Sequence, residues 1–481
     1  MSQTLSPDQE RLLGTVREAL APGQVCYLVG GAVRDYLLGR PLHDLDFALP
    51  EDPTLLAKRV SGRLNAGYFV LDDQRHTARV VYKTSDGHAF PLDFVQFTGE
   101  TLEEDLGNRD FTLNAMALAV DDPETVIDPM HGQADLEQGI LRPCSLHALV
   151  DDPVRILRAV RLAKQFSLEY APGLDELAQA AARDLPNTSA ERQRDELFRI
   201  LEGPDPSSGI ADAERFGAFS VMIPALGKPD EYEIESSRLD QALSVASYFK
   251  TILRWLNPSK GRVFDQESPL GRLATKLAPF REKLQNYFSE EITIGRSKSS
   301  LTLFSLLLLG KSISEATPEL ARETARHYQM SNAEADWVQN LVQENRAVQE
   351  MAETFDRPDR RAIYLYFKNS GEAGVSNVLL FLAKCLATPG KLSGSEWDRR
   401  LRIVETLLTA WWEEHRAVIN PRLLLNGRDL QKEFGLPPGA MIGQLLAELK
   451  EAQAAGTVLT LDDARAFITK AIPIPGESDA P

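Results

Sequence analysis

A glycine pair between two apolar segments constrains the first fifty residues more than any other feature. Gln24–Val29 is a short apolar run that predicts a strand, and Gly30 and Gly31 after it predict a tight turn. AVRDYLLG then predicts a helix, and His43–Leu49 (HDLDFAL) alternates polar and apolar residues, which predicts a second strand. Together these segments predict a compact mixed α/β unit.

The second strand brings two carboxylates together. Side chains alternate across a strand, so Asp44 and Asp46 project on one face, and Leu45, Phe47 and Leu49 project on the other. Two neighbouring acidic groups repel each other unless a cation lies between them, and a hard cation such as Mg²⁺ prefers oxygen ligands. The pair predicts a metal site, and a solvated acidic strand end is the plain alternative.

The glycine turn and Arg34 fit a phosphate beside such a metal. A Gly-Gly turn at the start of a helix lets backbone N–H groups approach a phosphate closely. Arg34, one turn into that helix, can donate to the same phosphate from a forked guanidinium. Each feature alone is usually structural, but all of them in this order predict phosphoryl transfer.

Patterning changes from mixed to helical along the chain. Phe69–Leu71, Ala78–Tyr82 and Phe90–Phe97 predict further strands. From Asp151 onward, apolar residues recur at helical spacing. The longest apolar run, Leu301–Gly310, is half the ~20 residues that a membrane span requires, so it predicts a buried helix and no membrane association.

Amino-acid composition limits the class of protein and the cellular compartment that can be expected. The 481-residue chain is 43% hydrophobic, enough for a large core. Cys26, Cys144 and Cys385 show no metal-ligand spacing, and the N-terminus lacks a secretory pattern, so we expect a cytoplasmic protein. The net charge of −17 argues weakly against a nucleic-acid partner, but the placement of the arginines matters more.

One helical segment carries an arginine stripe. Arg155, Arg158 and Arg161 have three-residue spacing, which puts them on one side of a helix. An aspartate N-cap, Asp151 or Asp152, with Pro153 at the first helical position explains how such a helix begins. It does not explain the arginines, for which a solvated charged face is the plain alternative.

An aspartate beside an arginine can select a base. Cytosine and adenine each present an amino donor beside a ring-nitrogen acceptor, whereas uracil and guanine present the reverse pattern. A carboxylate next to a guanidinium matches the first pattern and mismatches the second. Asp152 and Arg155 are predicted to form this pair and to replace a nucleic-acid template.

Five motifs, in order along the chain, resemble the polymerase-β-type nucleotidyltransferases that add CCA to tRNA 3′ ends or poly(A) tails to RNA. They are GGAVRDYLLGRPLHDLDFAL, EEDLGNRDFTLNAMAL, IDPMHGQADLEQGILR, DDPVRILRAVRLAKQF and SAERQRDELFRIL, and they lie between residues 30 and 201. A weaker similarity, over residues 426–458, is to the tail of bacterial-type (class II) members.

The resemblance implies an α+β fold. A polymerase-β-like nucleotidyltransferase head, with a small mixed sheet and helices, is expected over residues 1–145. All-α segments would follow: a neck that recognises the base (146–210), a body (211–420) and a tail that binds tRNA (421–481).

The resemblance also implies roles for single residues. Asp44 and Asp46 would be catalytic and hold Mg²⁺. The nucleotide-binding residues would be Gly30, Gly31, Arg34, Arg109, Asp110, Asp152, Arg155, Arg158 and Arg161. Arg109 would contact the incoming nucleotide and Asp110 its ribose hydroxyl, although Asn108 and Asp110 could instead simply cap a helix. Asn108 replaces the first arginine of the usual Arg-Arg-Asp triplet, which implies one weaker phosphate or RNA contact.

The implied activity is CCA addition from CTP and ATP, with the tRNA 3′ end and acceptor stem as partners and no protein partner. A poly(A) polymerase and an enzyme that adds only CC or only A remain alternatives. A non-catalytic RNA-binding relic is disfavoured because both metal carboxylates are present. A small-molecule nucleotidyltransferase is disfavoured by the base-reading helix and the tail. Asp93 is a candidate third carboxylate, and Glu191, Arg192 and Arg194 are expected to lock the neck by ion pairing.

Overall fold

The protein is described from a computed structural model. The described residues are 6–72, 76–84, 87–123, 125–222, 232–257, 264–311, 317–388 and 393–472. The chain forms two compact units, one comprising Met1–Pro204 with Gly209–Met222 and the other Asp205–Ser208 with Ile223–Pro481.

A seven-stranded mixed sheet lies at the centre of the head, in the order β3-β4-β5-β2-β1-β6-β7. The strands are β1 (Tyr27–Val29), β2 (Leu45–Leu49), β3 (Gly67–Asp72), β4 (Thr77–Lys83), β5 (Ala89–Gln96), β6 (Ala117–Ala119) and β7 (Val126–Ile127). Strands β2 and β5 run parallel, and the other neighbouring strands run antiparallel. The small mixed sheet expected from the sequence is confirmed.

In the described residues, the head also has five α-helices and one further strand. They are α1 (Pro7–Ala19), α2 (Gly31–Leu37), α3 (Thr54–Leu64), α4 (Leu102–Gly107), α5 (Gly132–Gln138) and β8 (Ile140–Leu141). The apolar face of β2 is buried as predicted, and the rings of Phe47 and Phe94 stack with centroids 4.9 Å apart. Strand β2 begins at Leu45, so Asp44 lies just before the ladder and Asp46 lies within it.

The neck is helical apart from one short strand. Its elements are α6 (Ala148–Asp151), α7 (Arg155–Phe166), β9 (Glu169–Tyr170), α8 (Leu174–Ala182) and α9 (Ala190–Glu202). They are followed by α10 (Pro206–Arg215), which crosses residue 210, and by α11 (Ala218–Met222). The predicted aspartate N-cap of α7 is wrong. The helix begins at Arg155 with Val154 as its N-cap residue and no side-chain cap, and Asp152 has an extended backbone. The Asp152 carboxylate faces arginines instead of capping the helix.

The second unit is also almost entirely helical. Its body has α12 (Tyr232–Leu256), α13 (Pro269–Leu277), α14 (Arg281–Ser289), β10 (Glu291–Thr293), β11 (Arg296–Ser297), α15 (Lys298–Lys311), α16 (Pro318–His327), α17 (Asn332–Gln343), α18 (Ala347–Thr354), α19 (Arg360–Ser370), α20 (Ala373–Leu386) and α21 (Gly394–Trp412). The tail has α22 (Gly427–Phe434), α23 (Ala440–Ala455) and α24 (Leu461–Ala471), which share a core cluster around Leu430, Leu449 and Ile468.

Two expectations about apolar and sulfur-bearing residues can be checked in this fold. The run that begins at Leu301 lies in α15, and Leu301, Leu303 and Phe304 are buried, so the predicted buried helix is confirmed. All three cysteines are free and buried. Within the described ranges, no helix combines the length and the apolar character that crossing a membrane requires.

Candidate active site

The two predicted metal carboxylates lie at the start of β2. Asp46 lies opposite Val29 of β1 and beside Asp93 of β5, and it is half-buried, whereas Asp44 is exposed. Burial, together with repulsion from Asp44 and Asp93, raises the pKa of Asp46 to about 7. The pKa of Asp44 is also raised, because the surrounding protein partly desolvates its carboxylate and because Asp93 repels it. A bound cation would remove this repulsion.

The donor chemistry of this pair fits a small hard cation. Among the described residues, no group of three or more His, Cys, Asp or Glu side chains could hold a metal ion by itself. Mg²⁺ typically uses only one or two carboxylates and takes its other ligands from water and substrate phosphates. Asp44 and Asp46 therefore suit a metal that is completed by a triphosphate.

Gly30 provides space beside this pair. Its φ of 75° lies where L side chains are strained, and a Cβ there would lie 3.2 Å from Arg109 Nη1 and 3.6 Å from Asp46 Oδ2. The Gly30 amide donates to Met116 O at 3.3 Å, so this N–H is already used. Gly30 brings the backbone close to Arg109 and Asp46, and Arg109 places a cation next to the acidic pair.

Replacing Gly30 with alanine is expected to cost about 1–3 kcal/mol of unfolding free energy, because the backbone conformation strains any L residue. The added Cβ would also displace the Arg109 guanidinium and raise KM for the nucleotide. Thermal melting and initial-rate kinetics measure both effects. Gly62→Ala in α3, where a Cβ meets nothing within 4 Å, is the matched control and should be neutral or stabilising. A Gly30→Ala variant that has the same melting temperature and the same KM as the wild type would contradict this account.

The raised pKa of Asp46 predicts a pH-dependent stability change. The folded state binds the Asp46 proton more tightly than the unfolded state, so metal-free protein loses stability as pH rises from about 4 towards 7. Asp46→Asn should therefore stabilise the metal-free protein at pH 8 by about 2–4 kcal/mol, with little difference near pH 4. Melting in EDTA at both pH values tests this. The exposed Asp52, whose pKa is lowered by the Thr54 amide, should show no such gain as Asp52→Asn. Equal destabilisation by Asp46→Asn at both pH values would refute the prediction.

Arg34 is more deeply engaged than its predicted phosphate role requires. Its guanidinium is buried and donates to both Asp35 oxygens at 3.0 Å and to Asn114 Oδ1 at 2.6 Å. It also lies 4.4 Å from the centre of the Phe166 ring. Arg34 therefore joins α2 to the segment after Asp110 and to the neck, and its role as a phosphate ligand stays a prediction.

A hydrogen-bonded chain continues from Asn114 into the neck. Asn114 Nδ2 donates to Asp110 Oδ1 at 3.1 Å, and Arg158 Nη1 donates to Asp110 Oδ2 at 3.0 Å. Arg158 also contacts Glu196 Oε1 at 3.2 Å, and Arg161 contacts Glu196 Oε2 at 2.6 Å. Burial alone would raise the pKa of Asp110, but its positively charged and polar partners hold that pKa below its usual value. The arginine stripe is therefore neutralised by buried acids and is not simply solvated.

The two side chains that are predicted to read the base lie close to each other. Arg155 Nε lies 3.7 Å from Asp152 Oδ2, and Arg192 Nη2 reaches the same oxygen at 2.5 Å. The remaining guanidinium nitrogens of Arg155 donate to the carbonyls of Asn108, Arg109 and Ala148. These bonds connect the start of α7 to the segment that carries Arg109.

Reasoning from the sequence did not predict the partners that four residues have in this site. Asn114 and Glu196 join the predicted residues to one another, Arg192 reaches Asp152, and Arg79 binds Asp93. Asn114, Glu196 and Arg192 lie inside recognised motifs, but spacing along the chain does not reveal a side chain's partner. Of the neck residues expected to form ion pairs, Arg192 and Arg194 do so, with Asp152 and Asp195.

Comparison with known proteins places this site in a family. The family model described as "Poly A polymerase head domain" matches residues 26–142, and the one described as "Probable RNA and SrmB- binding site of polymerase A" matches residues 172–228. A CC-adding tRNA nucleotidyltransferase of Thermus thermophilus is 30% identical over 452 residues, which cover 92% of each protein. The chain belongs to the bacterial-type family of CCA tRNA nucleotidyltransferases and poly(A) polymerases.

Other family members match over similar lengths. A CC-adding tRNA nucleotidyltransferase of Geobacter sulfurreducens is 29% identical and covers 92% of this chain and 91% of its own. An A-adding tRNA nucleotidyltransferase of Deinococcus radiodurans is also 29% identical, covering 92% of this chain and 94% of its own. A solved CCA-adding enzyme with ATP has the same fold, with a TM-score of 0.65 at 20% identity over 99% of this chain and 97% of its own.

Family membership confirms the resemblance of the five motifs and the α+β architecture with a mixed sheet in the head. Enzymes of this nucleotidyltransferase family generally depend on a metal ion, and the paired carboxylates of β2 are the residues here that suit one. The roles of individual residues within the family site remain predictions.

Proposed function

We propose that this protein is a template-independent tRNA nucleotidyltransferase that adds CCA to tRNA 3′ ends from CTP and ATP and releases pyrophosphate. The observation that supports this most strongly is the meeting of three features in one unit. The acidic pair of β2 lies beside Arg109, and the backbone of Arg109 is bound by Arg155, which belongs to the Asp152–Arg155 pair. Relatives along the whole chain that are named tRNA nucleotidyltransferases support the same substrate.

Asp44 and Asp46 would hold Mg²⁺ at the end of the sheet. The bound ion would activate the RNA 3′-hydroxyl and neutralise charge on the α-phosphate that it attacks. Arg109 lies close enough to Asp46 to place its guanidinium against the same triphosphate. Catalysis by this chain then consists mainly of positioning and electrostatic stabilisation.

Asp152 and Arg155 would choose the base. The carboxylate accepts a hydrogen bond from the amino group of cytosine or adenine, and the guanidinium donates to the neighbouring ring nitrogen. Uracil and guanine would place a carbonyl against the carboxylate and an N–H against the guanidinium. A matched bidentate contact discriminates between bases by roughly 1–3 kcal/mol.

The substrate would be the 3′ end and acceptor stem of tRNA, with the tail (421–481) contributing to binding. The four-part division into head, neck, body and tail remains our expectation for how these roles are distributed along the chain. Free, buried cysteines are consistent with work in a reducing cytoplasm.

Partial addition, of CC only or A only, is the second candidate. It is favoured by the names of relatives that match along the whole chain, three CC-adding and one A-adding. Poly(A) synthesis is the third alternative, and it shares the head-domain family model.

One assay separates these products. Purified protein is given three tRNAs, ending before CCA, after C and after CC, each with labelled CTP, labelled ATP or both, and the products are sized. Full CCA addition extends all three substrates to the same mature end when both nucleotides are present. A CC-adding enzyme stops one residue short, an A-adding enzyme extends only the third tRNA, and a poly(A) polymerase gives a ladder with ATP. No extension of any substrate would refute the proposed function.

A further inference from the structure

An ion pair lies directly beside the proposed metal ligands. Asp46 is aligned with Asp93 on the parallel neighbour β5, and Asp93 is aligned with Arg79 on the antiparallel neighbour β4. Side chains at aligned positions of adjacent strands lie on the same face, with Cβ atoms roughly 5 Å apart. The three side chains therefore form a row across the sheet that ends at the metal site.

Arg79 and Asp93 form a bidentate ion pair. Arg79 Nε donates to Asp93 Oδ1, and Arg79 Nη2 donates to Asp93 Oδ2, both at 2.7 Å. Both carboxylate oxygens are thus bound by one guanidinium, an arrangement stronger and more directional than a single contact. The Asp93 side chain is partly buried, with 20% of its surface exposed.

The balance of charge around the proposed metal site depends on this ion pair. While this ion pair is formed, the charges of Asp93 and Arg79 cancel. Arg109 is likewise paired with Asp105, at 2.9 Å. The acidic pair then presents two negative charges, which one divalent cation balances. With Arg79 removed, three carboxylates would face the cation and the triphosphate. A third charge would bind the cation more tightly and would repel the triphosphate that completes its coordination.

We propose that Arg79 is a positioning residue that holds Asp93 in a bidentate ion pair, so that two carboxylates rather than three bind the metal. Arg79 thereby sets the affinity of the site for divalent cations without touching the cation or the nucleotide. This inference rests on the proposed role of Asp44 and Asp46 as metal ligands.

The affinity of the protein for Mn²⁺ in the absence of nucleotide tests the proposal. It is measured from the loss of the electron paramagnetic resonance signal of free Mn²⁺ as the ion binds. Arg79→Met should tighten Mn²⁺ binding about fivefold, because it leaves the charge of Asp93 uncompensated at short range. Asp93→Asn should weaken binding by a similar factor, because the Arg79 charge then faces the metal alone. The double variant restores neutrality and should bind within about twofold of wild type. Arg79→Lys keeps the charge and should also stay near wild type.

Two controls accompany these variants. Arg63→Met removes an exposed arginine of the same head that pairs with Glu18, and it should leave Mn²⁺ affinity unchanged. Asp46→Asn should abolish the tight site. If Asp46→Asn binds Mn²⁺ like wild type, the metal assignment itself fails, and with it the proposed function.

Two results would overturn the role of Arg79 alone. If Asp93→Asn and the double variant lose Mn²⁺ binding equally, Asp93 is itself a ligand, and Arg79 does not withhold it. If all variants bind Mn²⁺ like wild type and only their melting temperatures fall, the pair merely joins β4 to β5.

Discussion

Asp46→Ala is expected to lower nucleotide incorporation by about 10³-fold or more, and Asp44→Ala to act in the same direction. A catalytic metal contributes several kcal/mol of transition-state stabilisation, and each 1.36 kcal/mol corresponds to about tenfold in rate. Single-turnover incorporation of labelled CTP into tRNA lacking CCA measures the loss. Binding of that tRNA, measured in a filter assay, should stay within about twofold of wild type, because neither aspartate is expected to contact the RNA body.

The control for this pair is Glu18→Gln. Glu18 is an exposed acid on α1 that pairs with Arg63, and its replacement should leave incorporation unchanged. A variant lacking Asp46 that retains near-normal turnover would show that the acidic pair of β2 does not hold the metal. Loss of tRNA binding together with turnover would instead indicate that the head has misfolded, which a melting curve would show.

Arg155→Ala is expected to reduce discrimination of CTP and ATP against UTP and GTP by up to about 10²-fold, the equivalent of roughly 3 kcal/mol. Without the guanidinium, the ring nitrogen of the correct base loses its donor, and the N–H of an incorrect base loses its opposing charge. The ratio of kcat/KM for CTP to that for UTP is the measurement. The melting temperature should also fall, because Arg155 binds the carbonyls of Asn108 and Arg109.

Selectivity and stability can be separated with a second arginine of the neck. Arg199, on α9, is 61% exposed and reaches Glu196 only at 3.5 Å. Arg199→Ala should leave the CTP-to-UTP ratio unchanged. If Arg155→Ala slows incorporation of every nucleotide by the same factor, Arg155 positions the triphosphate or the neck and does not read the base.

Local patterns were sufficient to predict β1 to β5 of the head sheet, but the short strands β6 and β7 were not predicted. In strand β2, apolar residues recur at every second position, at Leu45, Phe47 and Leu49. Its buried face and its acidic edge therefore follow from the sequence alone. The same holds for the apolar run that begins at Leu301, because the length of the run identifies a buried helix. These features depend only on neighbours in the chain.

Contacts between distant elements could not be predicted in this way. Arg158 and Asp110 are 48 residues apart, and only the packing of α7 against the head brings them together. The start of α7 was misjudged for the same reason, since Asp152 has the local sequence of an N-cap but is held by arginines. An aspartate in a turn has several candidate partners, and tertiary structure decides among them.

The bonds that run from Asp35 through Arg34, Asn114, Asp110 and Arg158 to Glu196 also bear on how family members can be recombined. A chimera joined near residue 145 would divide this series at the bond from Arg158 to Asp110, whose two partners would then come from different parents. A junction after Met222 would keep the whole series within one parent. The natural module for exchange between relatives is therefore the head together with its neck.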